Sequence, residues 1–371
     1  MDTRRPGWRP PHCPNPNCKY HNTIDPGWCY KRKGFFTRLS CPLRLQKGPQ
    51  RIQRFACLSC ARTFSTQTFS TTYWQKRPEL TAQVLPLVVG AMANRQMARA
   101  LATSPSSIAH HVSRLARHCM LLQAQHAEVV VPREIAIDGF ESFEWSQYFP
   151  FHHHVAVDVE SGYFLYHTDS PLRRKGRMTA PQKRRREELE RQLGRPDPRA
   201  VRKDVQELLE RVCRGSRHLT VRSDDHRAYP PAIRALRCPT THRVTSSRAR
   251  RDRANPLFEV NLLDGFVRHS TAAHRRETIA WAKRRQASAE KLAIFQLWRN
   301  TIKRRWEKGP PVSSAMRMGL TKRLWGVGDV LAQRRFATRI ALPPRWRLYY
   351  ERRIETLVLG VNRKHTLTYA F

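Results

Sequence analysis

Leu219-Thr-Val-Arg-Ser-Asp-Asp-His-Arg-Ala-Tyr229 is the stretch on which the reading of this chain turns. Its first five residues have the β-branched, alternating character of a short strand; the strand breaks at two carboxylates and runs on into a helix. Two further acids go with it. Asp138 ends the apolar strand Glu134-Ile-Ala-Ile-Asp138, and Glu259 stands in Asn255-Pro-Leu-Phe-Glu-Val-Asn261, where a helical pattern begins. An acid at one strand end, an acid at a second, and an acid on a following helix make a set that can hold two Mg²⁺ ions for phosphodiester chemistry.

Composition supplies the context. The chain has 371 residues, enough for two or three domains, and 40% of them are apolar, enough for sizeable cores. Sixty-nine Lys and Arg against 29 Asp and Glu give a net charge of +40. That balance selects a polyanionic partner, by default nucleic acid. No apolar run approaches the roughly 18 residues of a spanning helix. Met1-Asp-Thr-Arg-Arg-Pro-Gly7 lacks the apolar segment of a secretory signal. Nine cysteines without such a signal point to a reducing compartment and to metal ligation rather than disulfides.

Residues 1–77 read as a zinc ribbon. Cys13-Pro-Asn-Pro-Asn-Cys18 and the Cys57–Cys60 pair of Phe55-Ala-Cys-Leu-Ser-Cys-Ala-Arg-Thr-Phe64 are two thiol knuckles able to close a tetrahedral Zn²⁺ site. Trp28, Tyr30, Gly34, Phe35 and Phe36 suit the strands between them. Cys29, Cys41 or His21 could replace Cys18 as a ligand or be bystanders. Isolated Cys119, Cys213 and Cys238 read as packing residues.

Residues 78–128 read as a helix-turn-helix. A helix opens at Pro78-Glu-Leu-Thr. Met97, Ala98 and Leu101 then face inward, Thr103-Ser-Pro-Ser breaks and caps, and Ile108, Val112 and Leu115 form the buried stripe of the next helix. That helix would turn Ser106, Ser107, His110, His111 and Arg114 toward a DNA groove. An ordinary αα-hairpin carries the same periodicity, and the basic, ribbon-bearing context favours DNA.

Residues 129–300 carry the strands. Val129–Asp138 is the first, Phe151–Glu160 the second, a Ser161-Gly162 turn leads to a third over Tyr163–Thr168, and His218–Ser223 and Thr240–Val244 are the fourth and fifth. His152, His153 and His154 alternate across a strand and so cannot meet at one ion. Asp158 rivals Asp138, Asp225 rivals Asp224, and Asp264, five positions along, rivals Glu259 on a helix that continues through Arg268, Arg275, Arg276 and Thr278. A basic insertion over residues 170–215 is either a solvated helix face or a track for phosphate backbone. Taken singly, Asp138 could cap an element, Asp224 could form an Asx-turn and Glu259 could pair with an arginine.

Four blocks together resemble the DDE transposases of bacterial insertion sequences that carry an N-terminal zinc ribbon and helix-turn-helix. They are Arg54–Ser65, Ile137-Asp-Gly-Phe-Glu141, Arg222–Tyr229, and Asn255–Asn261 with Arg275-Arg-Glu-Thr278 and Lys283. The likeness covers the chain to about residue 300. It implies an α/β, ribonuclease-H-like catalytic domain holding two Mg²⁺ or Mn²⁺ ions on Asp138, Asp224 and Glu259, with Asp224 preferred because Tyr229 follows five residues on. It further implies Zn²⁺ on Cys13, Cys18, Cys57 and Cys60, and DNA contacts from Arg268, Arg275 and Lys283. The partners would be double-stranded DNA, at element ends and target, and further copies of the chain during synapsis, with no membrane. The location would be cytoplasmic, on the bacterial nucleoid. Arg-Glu-Thr stands where the family has Arg-Lys-Thr. A regulator or domesticated relative with the same fold and no catalysis, or a structural nucleic-acid binder, would share most of these features.

Residues 301–371 form a basic aromatic region. Trp306, Trp325 and Trp346 alternate with Lys303-Arg-Arg305, Lys322-Arg323, Arg334-Arg335 and Arg352-Arg353. Such aromatics stack on bases or fill a core, and the core reading is preferred. Gly309-Pro-Pro311 reads as a linker, and Ile354–Val361 with Thr366–Tyr369 as a closing hairpin.

Overall fold

The computed structural model describes residues 8–22, 25, 27–38, 50–275, 278–332 and 334–356. Cys41, Arg276, Glu277 and most of the expected closing hairpin lie outside these residues. Its described start, Ile354–Thr356, is not strand.

The N-terminal segment is a three-stranded antiparallel sheet of β1 (Tyr30–Arg38), β2 (Gln50–Cys57) and β3 (Thr63–Ser65), in that order. Its small core stacks Phe55 on Phe64 and sets Phe69 beside them, around the two cysteine knuckles. Phe35 and Phe36 do lie on a strand, yet they are exposed, Phe35 at 49%.

Three helices follow: α1 (Glu79–Val89), α2 (Asn94–Ala100) and α3 (Pro105–Ala127). Met97 and Ala98 pack against Ile108, Val112 and Leu115 as the periodicity predicts. Ser104 caps α3, its hydroxyl accepting the Ser107 N–H at 3.1 Å, with Pro105 at the first helical position.

The centre is an α/β arrangement around a five-stranded mixed sheet. β4 (Glu134–Phe143), β5 (Pro150–Asp158) and β6 (Phe164–Pro171) are antiparallel neighbours. Past the helices α4 (Ala180–Leu193) and α5 (Ala200–Val212), β7 (Leu219–Ser223) joins β4 in parallel; α6 (Tyr229–Arg234) leads to β8 (Thr240–Val244), parallel to β7. The spatial order is β6-β5-β4-β7-β8. α7 (Phe258–Ser270) and α8 (Arg285–Leu297) follow. Alternation divides the strands between two cores. Ala136, Phe140, Val155 and Val157 pack under α7 and α8, whereas Ile135, Ile137, Ala156, Leu219 and Val221 pack against α5, α6 and the C-terminal aromatics.

Four expectations change. Asp138 does not end its strand: β5 pairs with β4 as far as Phe143, and the strand stops only on its other edge, where pairing with β7 ends at Ala136 opposite Arg222. The helix carrying Glu259 stops at Ser270 instead of running on through Arg275 and Thr278, and a short 3₁₀ turn follows. The segment 170–215 is not one basic insertion. α4 is charged and exposed, but α5 buries Val205, Leu208, Leu209 and Val212 in the sheet's core, because its apolar stripe outweighs its charges. The described part of the C-terminal region is woven into three of the four cores rather than appended. After α9 (Ser314–Arg317), α10 (Val327–Leu331) sets Val330 among the three helices, Phe336 enters the zinc-ribbon core, and α11 (Pro344–Glu351) buries Trp346 and Tyr349 on the sheet. Among the described residues no helix is long and apolar enough to cross a membrane.

Candidate functional site

Two constellations carry chemistry. The first is the thiol cluster. The sulfurs of Cys13, Cys18, Cys57 and Cys60 all lie within 4.8 Å of one another. Cys13 and Cys60 are 3.7 Å apart, and Cys18 and Cys57 are 3.9 Å apart. A tetrahedral ion with metal–sulfur bonds of about 2.3 Å needs sulfurs about 3.8 Å apart; two pairs already stand at that spacing, so the cluster could hold zinc. Burial pushes the Cys57 thiol up, but the Trp28 indole N–H at 3.3 Å and the N–H groups of Cys60 and Ser59 outweigh it and bring it down to about 7. Of the alternative ligands, His21 and Cys29 fall within the described residues. His21 bonds the Cys13 carbonyl at 2.8 Å and the Thr338 hydroxyl at 2.7 Å, and Cys29 is exposed.

The second constellation is acidic. β4 and β7 run side by side, and Asp138 and Asp224 each stand two residues past Ala136 and Arg222, where the pairing between these two strands ends. The two carboxylates feel each other. Burial, with the Asp224 charge behind it, lifts the Asp138 carboxyl to about 6 against the pull of its own Gly139 N–H and of Arg251 and Arg268. The Gly139 N–H donates to Asp138 Oδ1 at 2.7 Å, and the His226 N–H donates to Asp224 Oδ1 at 3.0 Å. Tyr229, five residues beyond Asp224, is buried and within electrostatic reach of both. Asp225 is exposed and accepts the Ser247 N–H at 3.3 Å, and Asp158 caps its own hairpin turn through Ser161, so neither rival joins the pair. The three histidines separate as alternation requires: His153 bonds Ser288 on one face, and His154 bonds Ser170 on the other.

Glu259 does not face this pair. Its carboxylate is clasped by the Arg305 guanidinium, which comes from the segment after α8. Among the described residues, the four cysteines are the one group of three or more potential ligands gathered to metal distance; no third ligand is gathered with Asp138 and Asp224 in that way.

The residues expected to meet DNA are spread over three places. On α3, Ser106 and His110 are exposed and Ser107 is half-buried at the cap. His111 is buried, with Nδ1 2.9 Å from the Thr81 hydroxyl, and Arg114 donates to the Tyr73 carbonyl while burial lowers it to about 10. His111 therefore braces α3 against α1 instead of facing a groove. The missed signal is positional: residue 111 immediately precedes Val112 and borders the stripe of Ile108, Val112 and Leu115. Arg268 lies over the Phe140 ring at 5.8 Å, close to Asp138. Arg275 and Lys283 are exposed; Arg275 bonds the His269 carbonyl, and Lys283 covers Trp281 at 3.5 Å. Sequence reasoning overlooked Arg251 as a cation beside Asp138; its exposed position in a basic loop carried no sign of that.

No protein-family model matches this chain, and neither does any curated protein. Among solved structures, a chain of the simian T-cell lymphotropic virus intasome in complex with PP2A regulatory subunit B56 gamma aligns at 12% identity with a TM-score of 0.25, covering 66% of this chain and 74% of that one. A likeness at that level says nothing about fold or function.

Proposed function

We propose that the chain is a DNA transposase: an enzyme that cuts DNA phosphodiester bonds at element ends and joins them to a target. The observation that carries the reading is that Asp138 and Asp224 each stand two residues past the point where the parallel β4 and β7 stop pairing, in a chain of net charge +40. The sheet supports a ribonuclease-H-like reading. Three consecutive antiparallel strands followed by two parallel ones in the order β6-β5-β4-β7-β8 bring the first and fourth strands of the sheet together, so two acids distant in sequence become neighbours.

Asp138 and Asp224 fit a divalent cation. They are two like charges held partly out of water, an arrangement that costs free energy until a cation offsets it. Asp138, Asp224 and one acid from α7 would hold Mg²⁺ or Mn²⁺; bound there, the ions would align water or a 3′-hydroxyl and stabilise charge on the leaving oxygen. The chain's own groups do the remaining work. The backbone N–H groups of Gly139 and His226 orient the carboxylates, and Arg251 and Arg268 draw a phosphate backbone toward the acids. The cysteine cluster, loaded with zinc, and the exposed start of α3 would hold the DNA.

The test is cleavage of DNA carrying the element's terminal inverted repeats. With Mg²⁺ present, nicking should be lost in Asp138→Ala and Asp224→Ala while zinc content is unchanged. Binding without cutting by the unaltered chain would favour a regulator of the same fold. Cutting that survives both substitutions would overturn the assignment.

A further inference from the structure

The two acids of α7 point to opposite flanks, and the residues each flank meets can be named. Val260, Leu263 and Val267 form the stripe packed on the sheet. At about 100° per residue, Glu259 falls on one side of that stripe, together with Phe266, and Asp264 falls on the other, together with Arg268. The Glu259 flank meets the segment that follows α8: Arg305 clasps the Glu259 carboxylate, and Arg299 and Lys303 each lie 5.3 Å over the Phe266 ring. The opposite flank meets β4, because Arg268 lies over Phe140, which shares a strand face with Asp138.

We infer that Asp264, not Glu259, is the third carboxylate of the Asp138–Asp224 site, and that Glu259 serves as the buried partner of Arg305. This rests on the metal-dependent reading given above. A third acid must approach the same cation as the other two, and from one helix only the flank turned to β4 can supply it. Charge supports the division of labour. Arg305 is only 3% exposed, and a buried guanidinium without its carboxylate is strongly unfavourable, so Glu259 cannot turn to a metal without stranding it.

The experiment is Mn²⁺ binding to the zinc-loaded full chain, followed by electron paramagnetic resonance, in the unaltered protein and in Asp138→Asn, Asp264→Asn and Glu259→Gln. Asp138→Asn and Asp264→Asn should each weaken Mn²⁺ by about tenfold or more, whereas Glu259→Gln should stay within about twofold. Asp264→Ser serves the same comparison if the amide variant does not fold. Loss in Asp138→Asn and Glu259→Gln with Mn²⁺ held normally by Asp264→Asn would overturn the inference and leave the metal site standing. Normal binding in Asp138→Asn would overturn the site itself, and this inference with it.

Discussion

Arg305 lies between Glu259 and Gly162, its guanidinium on the carboxylate of the first and packed against the bare Cα of the second. A Cβ at Gly162 would stand 2.6 Å from the Arg305 Cζ, and the backbone there has φ +66°. A turn between two strands, a helix and the chain beyond α8 are therefore pinned by one cation. Glycine is required at position 162 for two independent reasons: the left-handed backbone and the absent side chain.

Removing the carboxylate from that arrangement should be costly. Glu259→Gln leaves the buried Arg305 charge uncompensated, and a loss of about 3 kcal/mol is expected in urea unfolding. Adding Arg305→Met to Glu259→Gln should recover part of the loss, since the pair is then replaced rather than broken. A single substitution that unfolds at the same urea concentration as the unaltered chain would show that the pair holds nothing together.

Asp138 should behave oppositely. Its carboxyl is raised from an ordinary value of 3.8 to about 6 in the folded chain. Between those values the folded state binds the proton more tightly than the unfolded state does. The stability this contributes is therefore present below about pH 4 and is lost as pH rises toward 6. At pH 7.5 without divalent cations, Asp138→Asn should be more stable than the unaltered protein by about 1–2 kcal/mol, less than the full shift would give because the group is partly exposed. Mg²⁺ should narrow the gap by stabilising only the unaltered chain. A variant less stable at pH 7.5 than the parent would contradict this.

The strands and the thiol knuckles were legible because each rests on a local pattern, alternation or paired cysteines; the neighbourhood of Asp138 and Asp224 follows from the parallel pairing of β4 with β7, although Asp138 lies within its strand and does not close it. The choice between Glu259 and Asp264 was not legible. The stripe of Val260, Leu263 and Val267 tells which side of the helix is buried, and both acids border it; which border meets β4 depends on the segment around Arg305, more than 40 residues away. The C-terminal region was illegible for a related reason. α9 to α11 are four to eight residues long, too short to show a period, and Phe336 and Val330 gain their meaning only from cores built hundreds of residues earlier.

The thiol cluster makes a prediction independent of catalysis. The protein as purified should contain one zinc per chain by elemental analysis, and Cys57→Ser should lose it. The Trp28 indole donates to the Cys57 sulfur at 3.3 Å, so the loss should also shift tryptophan emission. The sheet beside the cluster has only a small aromatic core, and this segment should lose protection from proteolysis when a chelator removes the metal. Zinc retained in full by Cys57→Ser would reject that ligand.

Neighbouring histidines on α3 should separate DNA binding from stability. His111 Nδ1 bonds the Thr81 hydroxyl, which itself donates to the Gln75 side chain at 2.7 Å, so His111→Ala breaks a buried chain. A loss of about 1–2 kcal/mol in stability is expected, with DNA affinity unchanged at temperatures where the variant is folded. His110, one position earlier, points outward with Ser106. A carboxylate there would meet phosphate, so His110→Glu should leave the melting temperature unchanged, weaken DNA binding by about tenfold in low salt, and lose most of that difference as salt rises. Equal affinities for His110→Glu and the unaltered chain in low salt would mean that the start of α3 does not lie against DNA, and the contacts would then have to come from elsewhere on this strongly basic surface.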